Sequence, residues 1–161
     1  MDPGISFATL LAYNTDENER WKRWFAANPA ALDLPCDVGG AGTVRNLLLH
    51  IFFAELVFAS LMLDQDRPNV ANLPQATLDE LFAISASARV KFDQFLANGT
   101  PEDWSTPRPM GFRDLKASKA KMLMQAIWHS VNHRGQIATF LRQQGFKQDW
   151  VHDFVLSNAM E

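Results

Sequence analysis

Four stretches of helical periodicity, each with its own start or stop signals, constrain this chain more than any other feature, and no convincing strand pair accompanies them. The first runs from about Ser6, a capping residue, to about Ala27, where Asn28-Pro29 stops it. Phe7, Leu10, Leu11, Asn14, Asn18, Trp21 and Phe25 form its stripe. The second runs from a Thr43 cap to about Leu63 and has few polar interruptions. The third opens on the capping box Thr77-Leu78-Asp79-Glu80 and ends at Gly99, with Leu78, Leu81, Ser85, Ala88, Phe92 and Phe95 on its inner stripe. The fourth runs from about Ala117 to Gln144, with Gly145 just past its end. Helices of this kind bury their stripes against one another. The expected fold is therefore all-α: one domain over 1–161, a four-helix bundle with long crossover connections and a short C-terminal tail element.

The connections at about 29–42, 64–76 and 100–116 are long, and loops of such length in a compact domain are often functional. The tail carries Trp150, Phe154 and Leu156, so it is expected to dock. Trp24, Trp104 and Phe112 read as packing residues.

A length of 161 residues suits one core, and 47% apolar with 20% charged residues is ordinary for a globular chain. A net charge of −3 gives no electrostatic reason to expect nucleic acid or an anionic membrane. The single Cys36 cannot form an internal disulfide and reads as a bystander thiol between Pro35 and Asp37. No basic segment and apolar run follow Met1 as a secretory signal would. Leu47–Leu63 is apolar, but His50 and Glu55 would be costly at mid-bilayer, so it reads as a central buried helix. A cytoplasmic protein is expected, without nucleic-acid or membrane partners. The apolar residues around most of the second helix point to a homodimer.

The chemistry lies in the histidines. His129 and His133 stand one turn apart, so they project only about 40° apart around the fourth helix. They share their angle with Met122, Ala126 and Phe140, and are expected to point inward. His50 shares its angle with Leu47, Ala54, Val57 and Leu61. An unpaired buried polar group costs on the order of 1–3 kcal/mol. Two arrangements meet that need: each imidazole bonds a carbonyl, or His50, His129 and His133 share one divalent ion. Imidazole suits zinc, nickel, iron and copper. Three protein ligands leave a position for water or substrate, the pattern of a catalytic site. His152 reads as a surface or tail-packing residue, with a fourth ligand as the other reading.

Gln136 lies about 60° from His133 and about 20° from His129 in projection. It could bond an imidazole, a metal-bound water or a neighbouring helix. Arg134 points about 100° away from His133 and is expected at the rim, paired with an acidic group or an anionic substrate. Gly135 suggests close helix approach. Asn14 and Asn18 interrupt an apolar stripe, either to line a cavity or to bond between helices. Glu55 sits about 140° around its helix from His50 and is left outside the ligand set. No His-Cys-Asp triad, phosphate-cradling loop or paired-carboxylate pattern stands out.

The run Trp128-His129-Ser130-Val131-Asn132-His133-Arg134-Gly135-Gln136, continuing to Gly145, resembles the signature helix of the DinB-like family: a His, three residues, His-Arg-Gly-Gln, and a helix ending at Gly. Thr43-Val44-Arg45-Asn46-Leu47-Leu48-Leu49-His50-Ile51 resembles that family's second helix, where a Thr or Ser cap precedes the first metal histidine. Leu10-Leu11-Ala12-Tyr13-Asn14 with Trp21 resembles its first, and the likeness spans roughly 5–150. The resemblance implies a four-helix bundle holding a divalent metal, nickel or zinc, through His50, His129 and His133. It also implies dimers, and thiol-dependent relatives such as S-transferases and a maleylpyruvate isomerase, which use bacillithiol, mycothiol or similar thiols. The function expected is a metal-dependent thiol S-transferase acting on a small-molecule substrate, with a low-molecular-weight thiol as possible second cofactor and Asn14 and Gln136 as cofactor-binding residues. A metal-dependent hydrolase and a non-catalytic metal-binding or stress-response protein are the alternatives.

Overall fold

The computed structural model describes residues 5–69, 73, 76–111 and 114–157. Among them are five α-helices, four of them long: α1 (Phe7–Ala27), α2 (Val44–Met62), α3 (Leu78–Asn98), the short α4 (Pro101–Ser105) and α5 (Lys119–Gln143). Two tiny antiparallel ladders join them, β1 (Pro35–Cys36) with β2 (Gly42–Thr43), and β3 (Arg108–Pro109) with β4 (Lys116–Ala117). The all-α expectation holds for the long elements. The long connections hold more structure than expected: the 100–116 segment contains α4 and the β3–β4 ladder. Phe112 lies outside the described residues.

Local chemistry sets the helix ends. Ser6, Thr43, Thr77, Thr100 and Ser118 each accept a backbone N–H of their helix's first turn, satisfying donors that have no intrahelical partner. Thr77 with Glu80, and Thr100 with Asp103, form reciprocal capping boxes. At the far end of α5, Gly145 adopts φ +86°, which lets its N–H reach the Arg142 carbonyl (3.1 Å) and the Phe146 N–H reach that of Leu141 (2.9 Å). That pair of bonds is a Schellman motif, and it turns the chain into the tail.

The long helices pack in a ring: α2 against α3 and α5, and α1 against α3 and α5. Apolar burial divides into two clusters. One gathers Trp21, Phe25, Leu47, Phe52, Leu81, Ile137 and Leu141; the other gathers Leu11, Phe58, Met62, Phe92, Phe95, Met122 and Ile127. Between them lies a buried polar layer to which all four long helices contribute: Asn14 and Asn18, Glu55, Ser85, and Ser130 with Arg134. Arg134 Nη1 donates to Asn18 Oδ1 (2.7 Å), Asn18 Nδ2 to Ser85 Oγ (2.8 Å), and Ser85 Oγ to Glu55 Oε2 (2.8 Å). Asn14 Nδ2 (2.9 Å) and Ser130 Oγ (2.7 Å) both donate to Glu55 Oε1. Buried polar groups bonded in this way are tolerated where isolated ones are not, and among the described residues Asn14 Oδ1 and Arg134 Nη2 are the atoms of this layer left without a partner.

This layer corrects one expectation. Arg134 does not stand at the rim but is 3% exposed in the core. Its angle on α5 is that of Leu123, Ile127 and Leu141, and burial presses its guanidinium below the ordinary arginine value while Glu55 and Glu17 oppose the shift. Gly135 also departs from expectation. It is exposed, and a Cβ there would meet nothing within 4 Å, so no helix among the described residues approaches it.

The tail docks on α1. Trp150 packs edge-on against Trp21, His152 stacks on Trp21, and Phe154 meets Tyr13. Tyr13 Oη donates to the His152 carbonyl (2.6 Å), and His152 Nδ1 lies 2.6 Å from the buried Glu17 carboxylate. Leu156 remains exposed. Trp24 packs with Trp21 and Phe25, and Trp104 stacks on Phe7, both as expected. Cys36 is buried in β1. The apolar α2 is the one described helix long and apolar enough to cross a membrane. Here it is enclosed by its neighbours, and His50 is its one exposed residue.

Candidate metal centre

His50 from α2 and His129 and His133 from α5 meet at the seam between those helices. Antiparallel packing of α2 on α5 brings the residues together across 79 positions of sequence, with His129 Nε2 and His50 Nε2 3.0 Å apart. The three rings are in mutual contact, with centroids 4.4 to 5.0 Å apart. One nitrogen from each lies within 4.8 Å of one from each of the others.

The depth of the site differs from the sequence expectation. The imidazoles do not point into the bundle's centre. His50 is exposed, and His129 and His133 are half-buried on the flank of α5. The centre of the α5 inner face is the Leu123–Ser130–Arg134–Ile137 side. The cluster is therefore a site at the edge of a seam, open to solvent on one side.

The arrangement fits a divalent ion. Two nitrogens held at about 2.0–2.1 Å from a tetrahedral centre stand roughly 3.4 Å apart, close to the 3.0 Å between the His50 and His129 nitrogens. His133 Nδ1 donates to Gln136 Oε1 at 2.6 Å, because an amide oxygen can only accept. In a ligating, neutral ring this bond fixes the Nδ1–H tautomer and so leaves Nε2 as the donor atom for a metal. Burial, then the neighbouring His133 and His50, hold His129 down at about 4. Burial and then His133 also hold His50 below its ordinary value. Both rings are accordingly neutral at pH 7, the form that ligates metals.

The remaining candidates separate clearly. Gln136 is on the cluster through His133. Asn14 is 6% exposed in the polar layer, where its amide nitrogen is engaged by Glu55 in the interhelical bond that was one of its two readings. Glu55 is likewise in that layer and stands outside the imidazole group. His152 is with Glu17 and Trp21. Sequence reading missed the link between Ser130 and Glu55, which joins α5 to α2 one residue from His129. The signal was present, since Ser130 shares its helical angle with buried Leu123 and Ile137.

No curated protein matches the chain. The model of one family, the DinB family, matches residues 4–158, a span that holds all three histidines, Gln136 and the docked tail. A helical chain with an imidazole cluster fit for a divalent ion, matched to that model over nearly its whole length, belongs to the DinB family.

Proposed function

We propose that this protein is a metal-dependent enzyme of the thiol S-transferase type, built on a four-helix bundle, with His50, His129 and His133 as the metal ligands. The observation that carries the reading is the all-imidazole cluster at a solvent-open seam, with His50 and His129 nitrogens 3.0 Å apart. Nickel or zinc suits such a donor set. A divalent ion held there supplies Lewis acidity that favours the thiolate of a small thiol, or the hydroxide of water, near neutral pH.

The chain's own residues have definite parts in this reading. His129 and His50 present neutral Nε2 atoms. Gln136 holds the His133 ring by its Nδ1–H. The exposed side of His50 leaves approach for a thiol and an electrophile from solvent. Asn14 acts at a distance, by holding Glu55 and so the α1–α2 spacing, instead of touching a cofactor.

The test begins with metal analysis of protein purified without a histidine tag, alongside His129→Ala. Near-stoichiometric nickel or zinc in the wild type, lost in the variant, supports the ligand set. Conjugation of several small thiols to a generic electrophile is then followed with and without chelator. Chelator-sensitive conjugation supports the transferase. Metal-dependent ester or amide hydrolysis without thiol would replace it with a hydrolase. A bound ion on which no reaction depends would leave a metal-binding protein.

A further inference from the structure

Further along the two helices that carry the imidazoles, beside the β3–β4 ladder, lies a cavity of about 260 Å³. Phe58 of α2 and Met122 and Gln125 of α5 line it, together with Met110 and Ala117 from the ladder region. Because α2 and α5 run antiparallel, moving forward from His50 and backward from His129 leads to the same place. At 1.5 Å rise per residue, Gln125 is about 6 Å and Phe58 about 12 Å along the helices from the imidazoles.

The lining is divided by chemistry. Phe58, Met110, Ala117 and Met122 are all buried and form an apolar floor. Lys116 and Lys121 line the cavity and are exposed. Neither pairs with a carboxylate among the described residues, and no described Asp or Glu lines the cavity. The nearby Lys119 is different, being buried and held 2.7 Å from Asp64. The volume equals that of about nine liquid-water molecules, which suits one small organic molecule. A larger groove along α1 and the tail carries charges of both signs, from Asp16 and Asp149 to Arg20 and Arg23, and so selects for neither.

We infer that this cavity is the site for a small monoanionic substrate with an apolar body, its hydrocarbon part on Phe58, Met110 and Met122 and its anionic group between Lys116 and Lys121. The inference rests on the proposed function only in calling the occupant a substrate. It names the electrophile's class: an apolar carboxylate of about ten non-hydrogen atoms. The two lysines, unpaired among the described residues, give the recognition its sign, and the shared pair of helices places the bound molecule about 6 to 12 Å along them from the metal ligands.

Octanoate, octanol and octylamine are titrated into the metal-free full-length protein, with calorimetry for affinity and amide chemical shifts for location. Octanoate is expected to bind with shifts centred on Phe58, Ala117 and Met122, octanol more weakly, and octylamine not at all. Lys116→Gln with Lys121→Gln should weaken octanoate by on the order of five- to tenfold while leaving octanol unchanged. His129→Ala should bind octanoate as the wild type does, which separates this result from the metal reading. Absence of octanoate binding at millimolar concentration would overturn the inference. So would equal binding of octylamine, unchanged affinity in the double variant, or shifts confined to another part of the surface.

Discussion

Ser130 Oγ and Glu55 Oε1 stand 2.7 Å apart in the core, tying α5 to α2 directly beside His129. The same carboxylate accepts from Asn14 and Ser85, so one side chain gathers all four long helices at a single level. Removing the carboxylate leaves the Asn14 amide and the Ser85 hydroxyl without their acceptor, turns Ser130 back to the Ala126 carbonyl alone (3.0 Å), and leaves the buried Arg134 charge less compensated. Glu55→Ala is therefore expected to lose about 3–5 kcal/mol of stability, and Ser130→Ala about 1–3 kcal/mol. Urea unfolding followed by circular dichroism measures both. Wild-type midpoints for the two variants would show that the layer is not a structural tie.

Gln136 is exposed and its one described bond is to His133. Gln136→Ala should weaken zinc or nickel binding by about 10–100-fold, the usual effect of removing a group that orients a ligating imidazole. The metal-free variant should unfold within about 0.5 kcal/mol of wild type, as an exposed substitution does. Competition against a chromophoric chelator reads the affinity. An unchanged affinity would remove Gln136 from the site.

The tail's anchor on α1 titrates. Burial pushes the Glu17 carboxyl up, but the His152 hydrogen bond and charge, the Arg134 charge and the Trp150 N–H outweigh it, and the net shift is below the ordinary 4.5. Below 4.5 the unfolded chain takes up a proton that the native chain still refuses, so the stability due to Glu17 is complete above 4.5 and disappears as pH falls through the lowered native value. The wild-type melting temperature should therefore drop more steeply between pH 5 and pH 3 than that of Glu17→Gln. Parallel melting curves would contradict this coupling.

Gly135 sits in the interior of α5 with helical backbone, on the outer face, and with open space where a Cβ would go. Gly135→Ala should stabilise the chain by about 0.5–1 kcal/mol through helix propensity alone. Thermal melting at low protein concentration tests it. A destabilised variant would mean that another molecule packs closely on that face.

The long helices were legible because their signals are local. Ser6, Thr43 and Thr77 cap where the sequence places them, and Gly145 closes α5 as its position requires. The short α4 carries an equally local signal, Thr100-Pro101-Glu102-Asp103, a capping box with proline in the first turn, but it is set in a proline-rich connection whose composition points to a loop. The imidazole cluster was legible from spacing and from family resemblance, but its depth was not. Helical angle ranks residues around an axis without saying which flank meets which neighbour. On α5 the apolar Met122, Ala126 and Phe140 share the histidines' flank, whereas buried Leu123, Ile127, Ile137 and Leu141 gather with Ser130 and Arg134 at the centre of the inner face, roughly 90° further round, so agreement with a few apolar residues does not place a side chain at the core. The partners of Arg134 lie 116 and 120 positions away, beyond what any local pattern can specify.

The edge position of the three imidazoles has a consequence for assembly. An ion arriving from bulk solution would meet His50 at the surface and reach the other two imidazoles without any helix having to separate. Loading and stripping of a divalent ion would thus be events of the finished fold, reversible by dialysis against chelator at full helicity. The occupant would then follow the cation the surroundings supply, and not what was trapped while the chain collapsed.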